Sequence, residues 1–478
     1  MISINHFING EFVAPTGGEY LDDFNPATGE VFAKIANGTS HDVQKAVDAA
    51  KIAFPAWKAM PSEDRFRILN AIAEGIEANL EELAAAESRD QGKPLWLSKS
   101  EMLRASQNFR FFATAAVQFA SESHQTDTRA INYTLRQPVG IVGCISPWNL
   151  PLYLFTWKIA PALAAGNCVI AKPSEFTPLT AHLLCEIANK AGLPPGVLNV
   201  VHGLGSTCGQ AIVEHPEIKA ISFTGGTSTG KHIAAVAAPM FKKLSLELGG
   251  KNPNIIFDDA DLNEAVKTSV RSSFLNQGEI CLCGSRVFVH TRVYGAFKAA
   301  LLQEVAKMQV GDPFDEKTRV GAIVSKPHFD KVLSYIELAK QEGGTILCGG
   351  ESVKPAGLES GWFIAPTIIE GLNATCRTNT EEIFGPVISL IPFDTEEEVL
   401  EMANGTAYGL ASTLWTNDLK RAHRMAEALH SGIVWVNCWL LRDLRTPFGG
   451  VKQSGVGREG GWEAMRFFTE PKNVCMAY

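Results

Sequence analysis

The sequence predicts an α/β protein built from two parallel-sheet domains. Three observations carry that expectation. Short apolar runs alternate with helix-length stretches through the middle of the chain, the alternation restarts after a Gly-Gly turn, and glycine-rich turns close several runs. Strands buried on both faces of a parallel sheet read as continuous apolar runs, and each needs a crossover helix before the next.

The N-terminal stretch to about Ile35 is rich in turn residues and predicts small strands. A helix is expected next, capped at Ser40, with Val43, Ala46, Val47 and Ala50 on one face. Helical patterns continue from Ile68 to Ala86 and from Phe109 to Phe119. Then come the apolar runs Val139 to Ile145, Cys168 to Ala171, Val197 to Val201 and Ala220 to Phe223, with helix-length segments Leu152 to Ala165 and Thr177 to Ala191 between them. A second series opens at Asn254 to Phe257. It continues through Arg286 to Val289, Ile388 to Ile391 and Gly432 to Val436. The two domains are therefore expected to join near Leu248-Gly-Gly250.

Composition narrows the class. The chain has 478 residues, 46% hydrophobic and 20% charged, which suits a globular protein with a large core. Its formal net charge of -8 argues against nucleic acid and anionic membrane as partners. No run is long and apolar enough for a membrane span, and Met1 to Phe12 has neither the basic nor the apolar region of a secretory signal. Ten cysteines are scattered without a C-x-x-C pair or zinc spacing, so no metal site is expected. Scattered thiols fit a reducing compartment, and a cytoplasmic protein is the expectation.

Three segments suit phosphate or ribose. Gly203-Leu-Gly205 opens like a dinucleotide fingerprint, but Cys208 holds the position of its third glycine. Phe223-Thr-Gly-Gly-Thr-Ser-Thr-Gly-Lys231 follows a strand and precedes an apolar stretch, which sets backbone N–H groups at a helix start where anions are favoured. Gly225 to Lys231 also fits the opening of a P-loop, but His232 replaces the Ser or Thr that would hold magnesium. Lys172 and Glu175 end a strand, at the sheet edge where α/β proteins bind ligands. Taken alone, such residues are more commonly a solvated surface ion pair.

Three residues suit covalent chemistry. Cys281 lies in the polar, glycine-bounded loop Asn276 to Arg286, a setting for an accessible thiolate, although a buried structural Cys is the commoner fate. Glu247 stands inside an apolar run before a Gly-Gly turn. A desolvated carboxylate there has a raised pKa and suits a general base, and a salt bridge to a nearby Lys is the alternative. Asn149 ends a strand at the same edge, where its amide suits an oxyanion or merely a turn.

Taken in order, Pro147-Trp-Asn149, Lys172-Pro-Ser-Glu175, Phe223-Thr-Gly-Gly, Glu247-Leu-Gly-Gly-Lys251, Asn276-Gln-Gly278 with Cys281, and Glu382-Ile-Phe-Gly-Pro-Val387 resemble the aldehyde dehydrogenase superfamily over nearly the whole chain. The resemblance selects Cys281 over Cys283, because Cys281 stands five residues before Arg286. It implies an aldehyde dehydrogenase-like fold with two Rossmann-like domains and a small β oligomerisation arm. It implies an NAD-binding domain over 1–122 and 139–248, a catalytic domain over 249–440, and an arm over 123–138 and 460–478. It implies NAD as cofactor, a homodimer or homotetramer, and Cys281 attacking an aldehyde. Asn149 and the Cys281 N–H would hold the oxyanion, and Glu247 would activate water. Trp148, Lys172, Glu175, Gly225, Gly226, Glu382 and Phe384 would surround the cofactor. Glu175 would repel a 2′-phosphate. Many relatives carry Ser where this chain has Gly226, so a side-chain phosphate contact is missing from the pattern.

The resemblance also reaches the substrate. Arg442 stands where relatives that oxidise apolar aldehydes carry an aromatic residue, and Arg104 falls on a helix beside the same entrance. An arginine beside an apolar tunnel is costly unless an anion meets it, and two guanidiniums suit one carboxylate. The pattern, with Gly278 to Cys283, is similar to the 2-aminomuconic and 2-hydroxymuconic semialdehyde dehydrogenase branch. A betaine-aldehyde or general aliphatic aldehyde dehydrogenase, a catalytically silent member of the fold, a P-loop NTPase and two ordinary surface arginines are the competing readings.

Overall fold

The computed structural model describes residues 1–478. Its largest sheet has eight strands in the order Gly455–Val456, Lys243–Glu247, Ile218–Thr224, Ile141–Ile145, Cys168–Lys172, Leu198–Val200, His6–Ile8, Glu11–Val13. The five strands from Lys243–Glu247 to Leu198–Val200 run parallel, and antiparallel strands close both edges. Helices Pro151–Ala164 and Leu179–Lys190 make crossovers between parallel strands, as the apolar runs predict.

A second sheet of seven strands runs Thr345–Cys348, Thr367–Glu370, Val387–Phe393, Arg286–His290, Pro253–Ile256, Ala411–Trp415, Ile433–Val436. All of its pairings are parallel except that of Thr345–Cys348. A third sheet pairs Thr469–Ala477 with Ala130–Pro138 and Ser123–Thr126, all antiparallel. The chain is thus mixed α/β with two parallel-sheet layers and a small antiparallel one. No helix is long and apolar enough to cross a membrane.

Three local expectations need correction. The first helix, Ser40–Ala59, is capped by Thr39 rather than Ser40: Thr39 accepts from the His41 N–H, and Asp42 reaches back to the Thr39 N–H at 2.9 Å. Ile68 to Ala86 is two helices, Ser62–Ala78 and Leu80–Gln91. Asn79 ends the first by folding its amide onto the Gly75 carbonyl at 2.7 Å, a local bond that competes with helix continuation. The helix expected from Phe109 begins fourteen residues earlier, at Leu95, and runs to Gln118.

The parallel strands set the site. Lys172, Thr224 and Glu247 are the last residues of three of them, and Asn149 lies just beyond a fourth. All four therefore stand at the carboxyl edge of one sheet, where a parallel sheet opens to ligands.

Candidate active site

Cys281 sits where two cavities meet. One is a mostly apolar tunnel of about 420 Å³ whose walls include Tyr153, Glu247, Arg104 and Arg442. The other, about 240 Å³, is lined by Trp148, Asn149, Gly225, Gly226, Glu382 and Phe384 among others. They share Thr224, Leu248 and Cys281.

The loop that carries Cys281 is held from several sides. Asn276, Gln277 and Gly278 have φ of 53°, 55° and 73°, three successive left-handed residues. Only glycine fits at the third, since a Cβ there would lie 2.2 Å from the Gly385 carbonyl oxygen. Asn252 donates to the carbonyls of Cys281 and Cys283 at 2.7 and 2.9 Å, and Trp439 donates to Leu282 at 3.0 Å. Arg286 is buried and satisfied by the carbonyls of Lys251, Met402 and Ala403. That network explains an arginine inside a strand.

The electrostatics differ from the sequence expectation in one respect. Cys281 is half-buried, and burial pushes its thiol up, as do the carboxyls of Glu382 and Glu247, while Arg442 draws it down. Burial and those carboxyls therefore disfavour the accessible thiolate that the polar sequence of the loop suggests. Glu247 is 3% exposed and neither of its oxygens has a hydrogen-bond partner. Burial pushes its carboxyl well above the usual range, Glu459 adds to this, and Lys158, Arg458 and Arg442 oppose it. The alternative of a structural Lys bridge to Glu247 does not hold. The nearby Lys158 is paired with Glu459 at 2.8 Å, and Ser222 donates to the same carboxylate at 3.0 Å.

Asn149 is buried, and its amide nitrogen donates to the Glu279 carbonyl at 2.8 Å. An amide has two N–H donors, so one remains for a ligand. Its backbone carbonyl accepts from Lys93 at 2.9 Å, and Lys93 is neutralised in the interior by Glu101 at 2.6 Å.

Glu382 reaches the second cavity over Gly249 and accepts from the Gly250 N–H at 2.8 Å. A Cβ on Gly249 would lie 2.4 Å from its carboxylate. Trp148 and Phe384 meet edge to face at 5.3 Å, and His328 bonds to the Phe384 carbonyl at 2.6 Å. The helix Thr227–Ala237 begins at Gly226 without a side-chain cap, which leaves N–H groups for an anion. Lys231 stands exposed on that helix and lines neither cavity, contrary to a P-loop. Thr224 Oγ is buried without a partner at the junction. Bare helix N–H groups, the Glu382 carboxylate for ribose hydroxyls and the edge-to-face Trp148–Phe384 pair form a lining that fits a dinucleotide.

Lys172 and Glu175 line neither cavity. They lie at the end of the adjacent strand, paired at 3.1 Å, with Lys172 only 2% exposed, so the pair is not a solvated one. Burial pushes the Glu175 carboxyl up, but Lys172 and backbone N–H groups outweigh it and hold it below its ordinary value.

Arg104 and Arg442 both reach the tunnel. Arg442 is half-buried between the rings of Phe448 and Trp157, 4.1 and 5.2 Å from their centroids, and donates to the Tyr153 hydroxyl at 2.8 Å. Arg104 Nη2 is buried without a partner. They are not ordinary surface arginines. Sequence reasoning missed Tyr153, Arg271, which also lines the tunnel, and the Lys158–Glu459 pair. A usable signal existed for one of them: Lys158 is the sole charged residue of the apolar helix Pro151–Ala164.

Comparison with known proteins follows this geometry. Residues 12–474 match the model of the aldehyde dehydrogenase family. The chain is 49% identical to the human 2-aminomuconic semialdehyde dehydrogenase, covering 100% of this chain and 99% of that one. It is 46% identical to the 2-hydroxymuconic semialdehyde dehydrogenase of Pseudomonas sp. (strain CF600), covering all of both. The NAD+ complex of an aldehyde dehydrogenase from Bacillus cereus superposes with a TM-score of 0.97 at 40% identity, over 99% of this chain and 96% of that one.

Proposed function

The chain belongs to the aldehyde dehydrogenase family and is an NAD-dependent enzyme of that chemistry, and we propose that its substrate is a semialdehyde bearing a carboxylate at the far end, such as 2-aminomuconic or 2-hydroxymuconic semialdehyde. The observation that carries this reading is the placement of two arginines without acidic partners in the wall of an apolar tunnel that ends at Cys281. A partly desolvated guanidinium without an ion-pair partner is costly, and a carboxylate ligand removes that cost. A cationic aldehyde would meet repulsion there.

The residues divide the work as follows. Cys281 is the nucleophile: its thiol gives its proton up to solvent, its sulfur bonds to the aldehyde carbon and the carbonyl electron pair moves onto oxygen. Asn149 and the Cys281 N–H donate to that oxyanion. Trp148, Gly225, Gly226, Glu382 and Phe384 would hold NAD, with Lys172 and Glu175 at the adenosine ribose, and NAD would supply the hydride acceptor for oxidation of the adduct to a thioester. Glu247 takes a proton from water as the water oxygen bonds to the thioester carbon, the C–S bond breaks and the acid leaves. Its raised pKa makes it a stronger base than an exposed carboxylate.

The domain bounds 1–122 with 139–248, 249–440, and 123–138 with 460–478 follow the three sheets apart from the edge strand Gly455–Val456, which joins the first sheet from outside all of them. The small antiparallel sheet ends in the exposed strand Ser123–Thr126, which supports pairing across a homodimer or homotetramer. Ten free cysteines support a cytoplasmic location.

The test is initial NADH formation with 2-hydroxymuconic semialdehyde, betaine aldehyde and hexanal. The semialdehyde is expected to give the highest kcat/KM. A higher value for either other aldehyde overturns the reading.

A further inference from the structure

Both tunnel arginines converge on one side chain. The Tyr153 hydroxyl accepts from Arg442 Nη1 at 2.8 Å, and the Arg104 guanidinium stands 5.8 Å from the Tyr153 ring centroid. Tyr153 itself is fixed. It lies in the first turn of the helix Pro151–Ala164, and its carbonyl accepts from Asn108 at 3.1 Å and Thr156 at 2.9 Å.

Neither arginine is oriented by an acid. Arg442 bonds to a neutral phenol, and Arg104 has a long contact of 3.4 Å to Gln107. The rings of Phe448 and Trp157 hold the Arg442 guanidinium in place, 4.1 and 5.2 Å from their centroids, but ring contacts carry no directional bond to set its rotation. A hydrogen bond to one Nη does fix it. Bidentate binding of a carboxylate requires that angle, because the guanidinium fork is rigid and directional.

We propose that Tyr153 is the positioning residue of the two-arginine site, aligning Arg104 and Arg442 on a single carboxylate and so setting the preference for acidic semialdehydes over neutral aldehydes. This rests on the carboxylate reading given under Proposed function. Tyr153 touches both guanidiniums and, through them, acts on the end of the substrate remote from Cys281. Its removal therefore weakens selectivity rather than the bond-making step.

The experiment uses the full-length enzyme with NAD, and compares 2-hydroxymuconic semialdehyde with hexanal. Tyr153→Phe keeps the ring beside Arg104 and removes the oxygen that Arg442 reaches; Tyr153→Leu removes both. The ratio of kcat/KM for the semialdehyde over hexanal is expected to fall about tenfold in Tyr153→Phe, mainly through KM, and further in Tyr153→Leu. Combined with Arg442→Ala, Tyr153→Phe is expected to add less than about twofold, since the partners act as a unit. A ratio unchanged in both Tyr153 variants, or full additivity with Arg442→Ala, overturns the proposal. Arg104→Ala and Arg442→Ala separate it from the reading beneath it. If they leave the semialdehyde KM unchanged, the carboxylate site itself is wrong. If they raise KM while the Tyr153 variants do not, only the positioning role is wrong.

Discussion

The Asn276 side-chain amide donates to the backbone carbonyl of Asn149 at 2.9 Å. The bond ties the loop that presents Cys281 to the residue proposed to hold the oxyanion. Asn276 makes it from a left-handed backbone, with φ of 53°. Nucleophile and oxyanion donor are therefore set by one backbone conformation.

Gly278→Ala tests that coupling. The residue has φ of +73°, and the added Cβ would lie 2.2 Å from the Gly385 oxygen. The loop is expected to shift, lowering stability by about 1–3 kcal/mol and the rate by an order of magnitude or more. Denaturant unfolding and NADH formation check the two effects. Native stability with native activity would show that the loop conformation is immaterial.

Cys281→Ser is expected to lose NADH formation while retaining NAD binding by calorimetry. Cys283→Ser is the control. Cys283 is buried, so its replacement tests packing alone and should leave measurable turnover. If Cys283→Ser is silent and Cys281→Ser active, the nucleophile has been assigned to the wrong thiol.

Glu247 predicts a pH dependence whose sign follows from its burial. Burial holds the carboxyl well above its ordinary value, so it gives up its proton at higher pH than an exposed carboxyl does. The working form is the base, so turnover is expected to rise with pH as that proton leaves. The Cys281 thiol, also pushed up, adds to the rise in the same direction. In Glu247→Gln the first turnover should still release NADH, but steady turnover should drop by about 10²–10⁴-fold. Rapid-mixing kinetics separate burst from steady state, and an unaltered steady rate would remove Glu247 from the mechanism.

Glu175→Ser probes the far end of the cofactor site. The carboxyl is held below its ordinary value, mainly against burial by Lys172, and so carries charge at neutral pH. A 2′-phosphate would meet it directly, and its removal should shift the NADP-to-NAD ratio of kcat/KM upward by about tenfold or more. An unchanged ratio would place cofactor choice elsewhere.

The sequence was most informative where function demands an unusual residue in an ordinary element. Glu247 ends an apolar strand, glycines stand at Gly225, Gly226 and Gly278, and these positions can be read from chemistry and spacing. It was least informative where a role arises from convergence. Tyr153 and Arg442 are 289 residues apart, and Lys158 and Glu459 are 301 apart, so no local pattern joins them. The break at Asn79 was hidden for another reason: apolar spacing continues through it, while a single amide-to-carbonyl bond ends the helix. The carboxyls beside the Cys281 thiol were hidden as well, because the polarity of a loop says nothing of the groups that the fold brings to it.

The two cavities touch at little more than one sulfur atom and its neighbours Thr224 and Leu248. Each compartment is thus a separate berth. The nucleotide can be exchanged, spent for fresh, while the acyl group stays docked on Cys281, and the acid can depart down the tunnel without passing the nucleotide. The cycle has no need to empty both berths at once.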